Sequence, residues 1–376
     1  MKLKNLLACT VTGMLLCTSC IKDEAPNVEA AIDACYGENV QLANIDAENK
    51  KIDVYVPKSA SFNALQLIFT LPDGASIKAD SKLSTDIPPF YDFSKQSTRA
   101  FTVTSEDGVW KTTYQIGIII TELPTSFHFE SLLENSNAPY DVFYENQRVD
   151  TETKILQWTS GNPGYKLTGM SNSREDYPTI QFNNGHLGKC AKLTTMSTGS
   201  FGEMVKMYIA AGNLFIGSFD LTNALVNAPK ATKFGFPFYQ YPERLTGYYK
   251  YKAGSVYTEK GQPVENKKDL CDIYAIMYET DESTDFLDGE TALTSPNLVL
   301  LARIDPNDIV ESDKWNKFNL PFKKMNDKEI DSTKLKEGKY KLAIVFSSSV
   351  GGASFNGAIG STLYIDEVEL ICKTDN

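Results

Sequence analysis

The chain has 376 residues, of which 42% are hydrophobic and 23% charged, enough for two globular domains. A formal net charge of −11 and a pI near 4.9 argue against a nucleic acid or an anionic membrane held by a basic face, and suit neutral partners such as glycans better. Nineteen Tyr and twenty Phe, set in alternations of strand length, point to an all-β protein.

Residues 1–19 carry Lys2 and Lys4 ahead of an apolar stretch too short to span a bilayer, the pattern of a secretory signal that is removed. Its loss would leave 35 basic against 48 acidic residues, a net −13. The run Cys17-Thr18-Ser19-Cys20 resembles a bacterial lipobox, although Cys17 stands where Leu is usual. That resemblance implies lipidation at Cys20 and attachment to the membrane through the lipid alone. Lys22-Asp23-Glu24 is similar to the signal that sends lipoproteins of the Bacteroidota to the outer face of the outer membrane, so residues 20–24 are expected to be a lipidated tether. Cys35, Cys190, Cys271 and Cys372 remain, with no CxxC or Cys-His cluster, which argues against zinc. Cys190 and Cys271 lie in apolar-periodic runs and are expected to be buried thiols.

Residues 25–124 hold short alternating runs separated by Pro72-Asp73-Gly74, Pro88-Pro89 and Glu106-Asp107-Gly108, which predicts an immunoglobulin-like sandwich. Leu67-Ile68-Phe69-Thr70, Tyr91-Asp92-Phe93-Ser94 and Thr102 to Gly108 resemble bacterial Ig-like modules found near the lipid anchor of surface proteins. The resemblance implies a spacer. The Leu123-Pro124 step marks the boundary.

From residue 125 to 376 about ten further strand-like runs follow, and no amphipathic stretch of three helical turns competes with them. Ser126 to Glu130 alternates strictly and opens a sandwich. The runs at 212–219 and 233–239 are each expected to be one strand. The last run, from Ser361 to Ile371, points Leu363, Ile365, Val368 and Leu370 inward only if the phase slips at Asp366-Glu367, as a bulge would make it. The pattern predicts a single lectin-like jelly roll, similar to carbohydrate-binding modules. Trp158-Thr159-Ser160-Gly161-Asn162-Pro163-Gly164, Gly212 to Phe219, Phe234 to Phe238, Pro242 to Lys252 and the closing run resemble the putative carbohydrate metabolism domain family. The resemblance implies a carbohydrate-related role, with outer-membrane glycan-uptake proteins as further partners.

Along β-alternation Leu245, Gly247, Tyr249 and Tyr251 take one face and Thr246, Tyr248, Lys250 and Lys252 the other. Tyr248 beside Lys250 would offer a ring and a donor to a sugar, and Tyr274 and Tyr278 of a neighbouring run would join that face. Outward Tyr-Lys pairs also serve as ordinary sheet stabilisation. Trp158 precedes a loop containing Asn162, where a Trp can hold a sugar ring, yet a Trp ending a strand is more often core. Trp315, ahead of Phe318, Leu320 and Phe322, is expected to be structural. Glu130 and Asp366 would lie together if the first and last strands pair, where they could hold a structural calcium. No cofactor is otherwise required, and no catalytic motif names a reaction. The alternatives to a surface lipoprotein that binds carbohydrate are a glycoside hydrolase using two carboxylates, with Glu130 the first acid to test, and a surface adhesion or assembly subunit.

Overall fold

A computed structural model describes residues 26–57, 59–81, 83, 85–133, 138–146 and 154–373. The expected signal, Cys20 and the tether lie outside the described residues. The fold is almost entirely β, as the composition predicts.

The first half is built on β1 (Leu42–Asp46), β2 (Lys51–Val56), β3 (Ser76–Ala79), β4 (Thr98–Thr104) and β5 (Lys111–Ile120), ordered β1-β2-β5-β4-β3. β2 and β5 run parallel and the other pairs antiparallel. Alternation in β4 buries Arg99, Phe101 and Val103 while Thr98, Ala100 and Thr102 stay more open. Phe101 and Val103 pack with Ile52, Val54, Leu65, Tyr91 and Ile116 in a core of their own. The β4–β5 turn falls at Asp107-Gly108 as expected, with Gly108 at φ 73°.

The second half contains β6 (Ser126–Phe127), β7 (Thr179–Phe182), β8 (Cys190–Thr194), β9 (Asn213–Phe215), β10 (Pro242–Lys252), β11 (Asp272–Glu279), β12 (Leu298–Arg303), β13 (Ser312–Pro321), β14 (Tyr340–Ser347) and β15 (Thr362–Cys372). One sheet is ordered β7-β8-β15-β10-β13, with β6 added on β15; the other is β9-β14-β11-β12, extended by Lys323–Lys324 and Phe236–Pro237. Between them lies a core of Phe127, Leu193, Tyr249, Tyr251, Leu363 and Ile365 from the first sheet and Ile273, Met277, Leu342 and Phe346 from the second. The bulge in β15 is present: Thr246 pairs with Glu369 and Tyr248 with Asp366, and Glu367 takes φ 48°. Two runs expected to be continuous break at glycines. Gly217 (φ 150°) separates Asn213–Phe215 from Gly217–Phe219, and a Cβ there would meet the Lys233 carbonyl oxygen at 2.1 Å. Gly235 (φ 113°) likewise divides Thr232–Phe234 from Phe236–Pro237. Cys35, Cys190 and Cys271 are buried free thiols and Cys372 is a half-buried one.

The two halves share a joint. Leu42 and Tyr55 of the first sheet belong to the core of the sandwich, where the Tyr55 ring meets Phe236 edge-on with centroids 5.9 Å apart. Lys154 bonds Asp53, Lys166 bonds Glu48 at 2.8 and 2.9 Å, and Gln41 donates to the Tyr239 hydroxyl at 3.1 Å. A cleft of about 1050 Å³ opens beside the joint, lined in part by Asp33, Tyr140, Lys166, Phe219, Asp220 and Phe286.

Candidate functional site

The outward residues of the β7-β8-β15-β10-β13 sheet form a strip of rings and ammonium groups. Register dictates it: Lys192 of β8 pairs with Tyr364 of β15, and Tyr364 with Lys250 of β10. The Lys250 ammonium sits 4.7 Å from the Tyr364 ring centre and 4.6 Å from that of Trp315, at the edge of β13. Phe182 of β7 meets Tyr364 edge-on at 5.3 Å, with the Lys192 ammonium 5.9 Å from its ring. In the next row Tyr248 pairs with Asp366 on one side and Lys317 on the other. Tyr248, Lys250, Trp315 and Tyr364 are all half-buried, so their ring and ammonium surfaces are partly open to solvent.

The loop joining β7 to β8 covers part of this face. His186 lies flat on Tyr248, with ring centroids 3.7 Å apart and planes 14° from parallel. What draws the loop down is Asp366, whose Oδ2 accepts the backbone N–H groups of His186 (2.6 Å) and Leu187 (3.0 Å) while Oδ1 accepts that of Glu367 (2.9 Å). Burial pushes the Asp366 carboxyl up to about 6, although the three N–H groups favour its charge. Glu130 holds the far end of the loop, accepting the Lys189 N–H at 2.9 Å. Beside Tyr248 a hollow of about 210 Å³ is lined by His128, Thr246, Lys317, Glu367 and Glu369, and His128 Nδ1 lies 3.0 Å from Glu367 Oε1.

Tyr248 and Lys250 face outward, as their alternation predicts, and the structure adds His186, Trp315, Tyr364 and Phe182 around them. Trp315 thus belongs to the open face, because β13 reaches the strip before its core-facing Phe318. Tyr274 does not join it. β11 lies in the opposite sheet, whose outer side is sealed by Phe234, Leu287 and Ala292, and there Tyr274 and Tyr278 are buried. Trp158 is 2% exposed, wedged among Phe127, Phe129 and Phe346, with its Nε1 donating to Glu145 at 3.0 Å; no face of its ring is left for a sugar. Asn162 is fully buried and spends its amide on the Thr179 backbone, donating to the carbonyl at 2.7 Å and accepting the N–H at 3.1 Å. Glu130 and Asp366 do converge, but on one loop's backbone. Three N–H groups bond the Asp366 oxygens and one bonds Glu130, so in this structure the pair anchors the loop. Among the described residues no cluster of three or more His, Cys, Asp or Glu is arranged to hold a metal.

Comparison with known proteins adds the following. Residues 128–371 match the family described as "putative carbohydrate metabolism domain", and residues 36–118 match "SGBP, N-terminal", a domain of surface glycan-binding proteins. A crystal structure of "a putative glycoside hydrolase" from Bacteroides thetaiotaomicron is similar at 49% identity and TM-score 0.81, over 94% of this chain and 100% of that one. A second, likewise described, from Bacteroides vulgatus is 44% identical with TM-score 0.62, over 67% of this chain and 100% of that one. No curated protein matches the chain.

Proposed function

From the chain's membership of the putative carbohydrate metabolism domain family, we propose that it is a surface lipoprotein that captures glycan on the outer face of the β7-β8-β15-β10-β13 sheet. One observation carries this reading: half-buried Trp315 and Tyr364 flank the Lys250 ammonium, at 4.6 and 4.7 Å, on the outer side of this sheet. Rings take the C–H face of a sugar while the donors take its hydroxyls. The match of residues 36–118 to the domain of surface glycan-binding proteins supports a spacer between this face and a lipid on Cys20. Affinity electrophoresis through a panel of glycans tests the proposal. Trp315→Ala and Tyr364→Ala are each expected to weaken retention several-fold, in line with one lost aromatic contact of about 0.5–1.5 kcal/mol, whereas Trp158→Phe, in the core, leaves it unchanged. Retention that ignores the first two variants would sink the reading.

Hydrolysis is the second reading, favoured by the cleft beside the joint and by how the two similar crystal structures are described. There burial, then Glu29 and Asp220, raise the Asp33 carboxyl, while Asp220 is desolvated yet held below the usual range by the Lys233 ammonium and the Asn223 amide. These two carboxyls of one cleft, shifted in opposite directions, are the pair on which this reading is tested. Reducing-end release that disappears in both Asp33→Asn and Asp220→Asn would install this reading in place of simple capture.

A further inference from the structure

The whole chain is acidic, yet the strip carries a row of three lysines. Lys192, Lys250 and Lys317 each face an aromatic ring, and among the described residues none of the three forms an ion pair. Elsewhere lysines commonly do, as Lys154, Lys166, Lys233, Lys267 and Lys341 show. Of the acids close to the strip, Glu367 lies 3.0 Å from His128 Nδ1, Asp366 is fully buried under three N–H groups, and Asp313 and Glu369, the latter lining the hollow with Lys317, are exposed to water. A ring face attracts an ammonium ion without using up its hydrogen-bond donors. The strip therefore holds positive charge in place and leaves the N–H groups free to bond an incoming anion.

We propose that the glycan this face takes is acidic, a polysaccharide bearing carboxylate or sulfate groups; the inference rests on the outer face being the binding site. The anionic group would accept hydrogen bonds from Lys250 and from either Lys192 or Lys317, with the sugar ring lying on Trp315 or Tyr364. Charge-assisted bonds of this kind contribute more than neutral ones, and they order the ligand along the row from β8 to β13. The acidity of the rest of the surface would then reject anionic polymers everywhere except on the strip, which gives the selectivity a second source.

The test measures retention of the full-length mature protein by polygalacturonate, dextran sulfate and a neutral galactan, at low and at high salt. Carboxylate and sulfate as the source of the charge are separated by the first two polymers. Retention by an acidic polymer is expected to exceed that by galactan and to weaken with salt. Lys250→Met, which keeps the apolar stem between the rings, should lower it roughly tenfold, the scale of a lost charged hydrogen bond. The pair Lys192→Gln with Lys317→Gln should do the same without touching the Trp315–Tyr364 sandwich, so a folding defect in one variant would not decide the matter. Equal retention by galactan, unaffected by salt and by the lysine variants, would overturn the acidic ligand and leave glycan capture standing. If no polymer is retained at all, the capture reading falls and this inference falls with it.

Discussion

At the residue scale, two tryptophans with similar sequence settings end in opposite environments. Each stands beside a strand, yet Trp158 fills the centre of the sandwich and Trp315 lines the open strip. The partner of Trp158 is informative. Glu145 is 5% exposed and accepts bonds from the Trp158 indole and from the His128 and Phe129 backbone, with no lysine or arginine among its partners in the described residues. Burial pushes its carboxyl from 4.5 up to about 7. Since the folded state binds this proton more tightly than the unfolded chain, the stability it confers is complete below about pH 4.5 and is lost as pH rises through about 7. Urea unfolding between those limits should show a fall on the order of 3 kcal/mol from this group. Glu145→Gln, which never ionises, should flatten that part of the profile; an unchanged slope would mean that the carboxyl is already ionised in the fold.

At the scale of elements, alternation was sufficient for β10, whose inward Leu245, Tyr249 and Tyr251 and outward Tyr248 and Lys250 follow directly from period two. The bulge in β15 was equally legible, because only a phase slip reconciles Ile365 with Val368. Sheet membership was not. Periodicity describes one strand's two faces and carries nothing about which sheet receives it, so Tyr274 could be given an outward face that the segment bearing Leu287 and Ala292 in fact covers. The loop between β7 and β8 was hidden for a related reason: His186 reaches Tyr248 through a bond to Asp366, 180 residues away, and no local pattern announces it. That loop also bears on calcium. With Asp366 Oδ2 already accepting two N–H groups, the melting temperature should be the same with added calcium as with a chelator. A rise of several degrees with calcium would show that the carboxylates turn from the loop to an ion.

At the scale of the whole molecule, the recurrent turns and the Leu123-Pro124 break made two units visible in sequence, but not the way they meet. Tyr55 looked like any residue of a buried strand; in the structure it crosses into the neighbouring core. Removing it should uncouple the halves. Calorimetry of the native protein is expected to give one transition, and Tyr55→Ala two, with a loss of about 3–5 kcal/mol as for other large aromatic truncations. One transition in both would show that the charged contacts of Asp53 and Glu48 suffice. The joint has a mechanical consequence as well. Were a polymer held at Trp315 as proposed, tension between it and the N-terminal residues would pass through the joint, shared between packed side chains and the covalent chain of residues 121–125. A packed joint of this kind would transmit torque as well as pull, and so would fix the angle between the two halves under load.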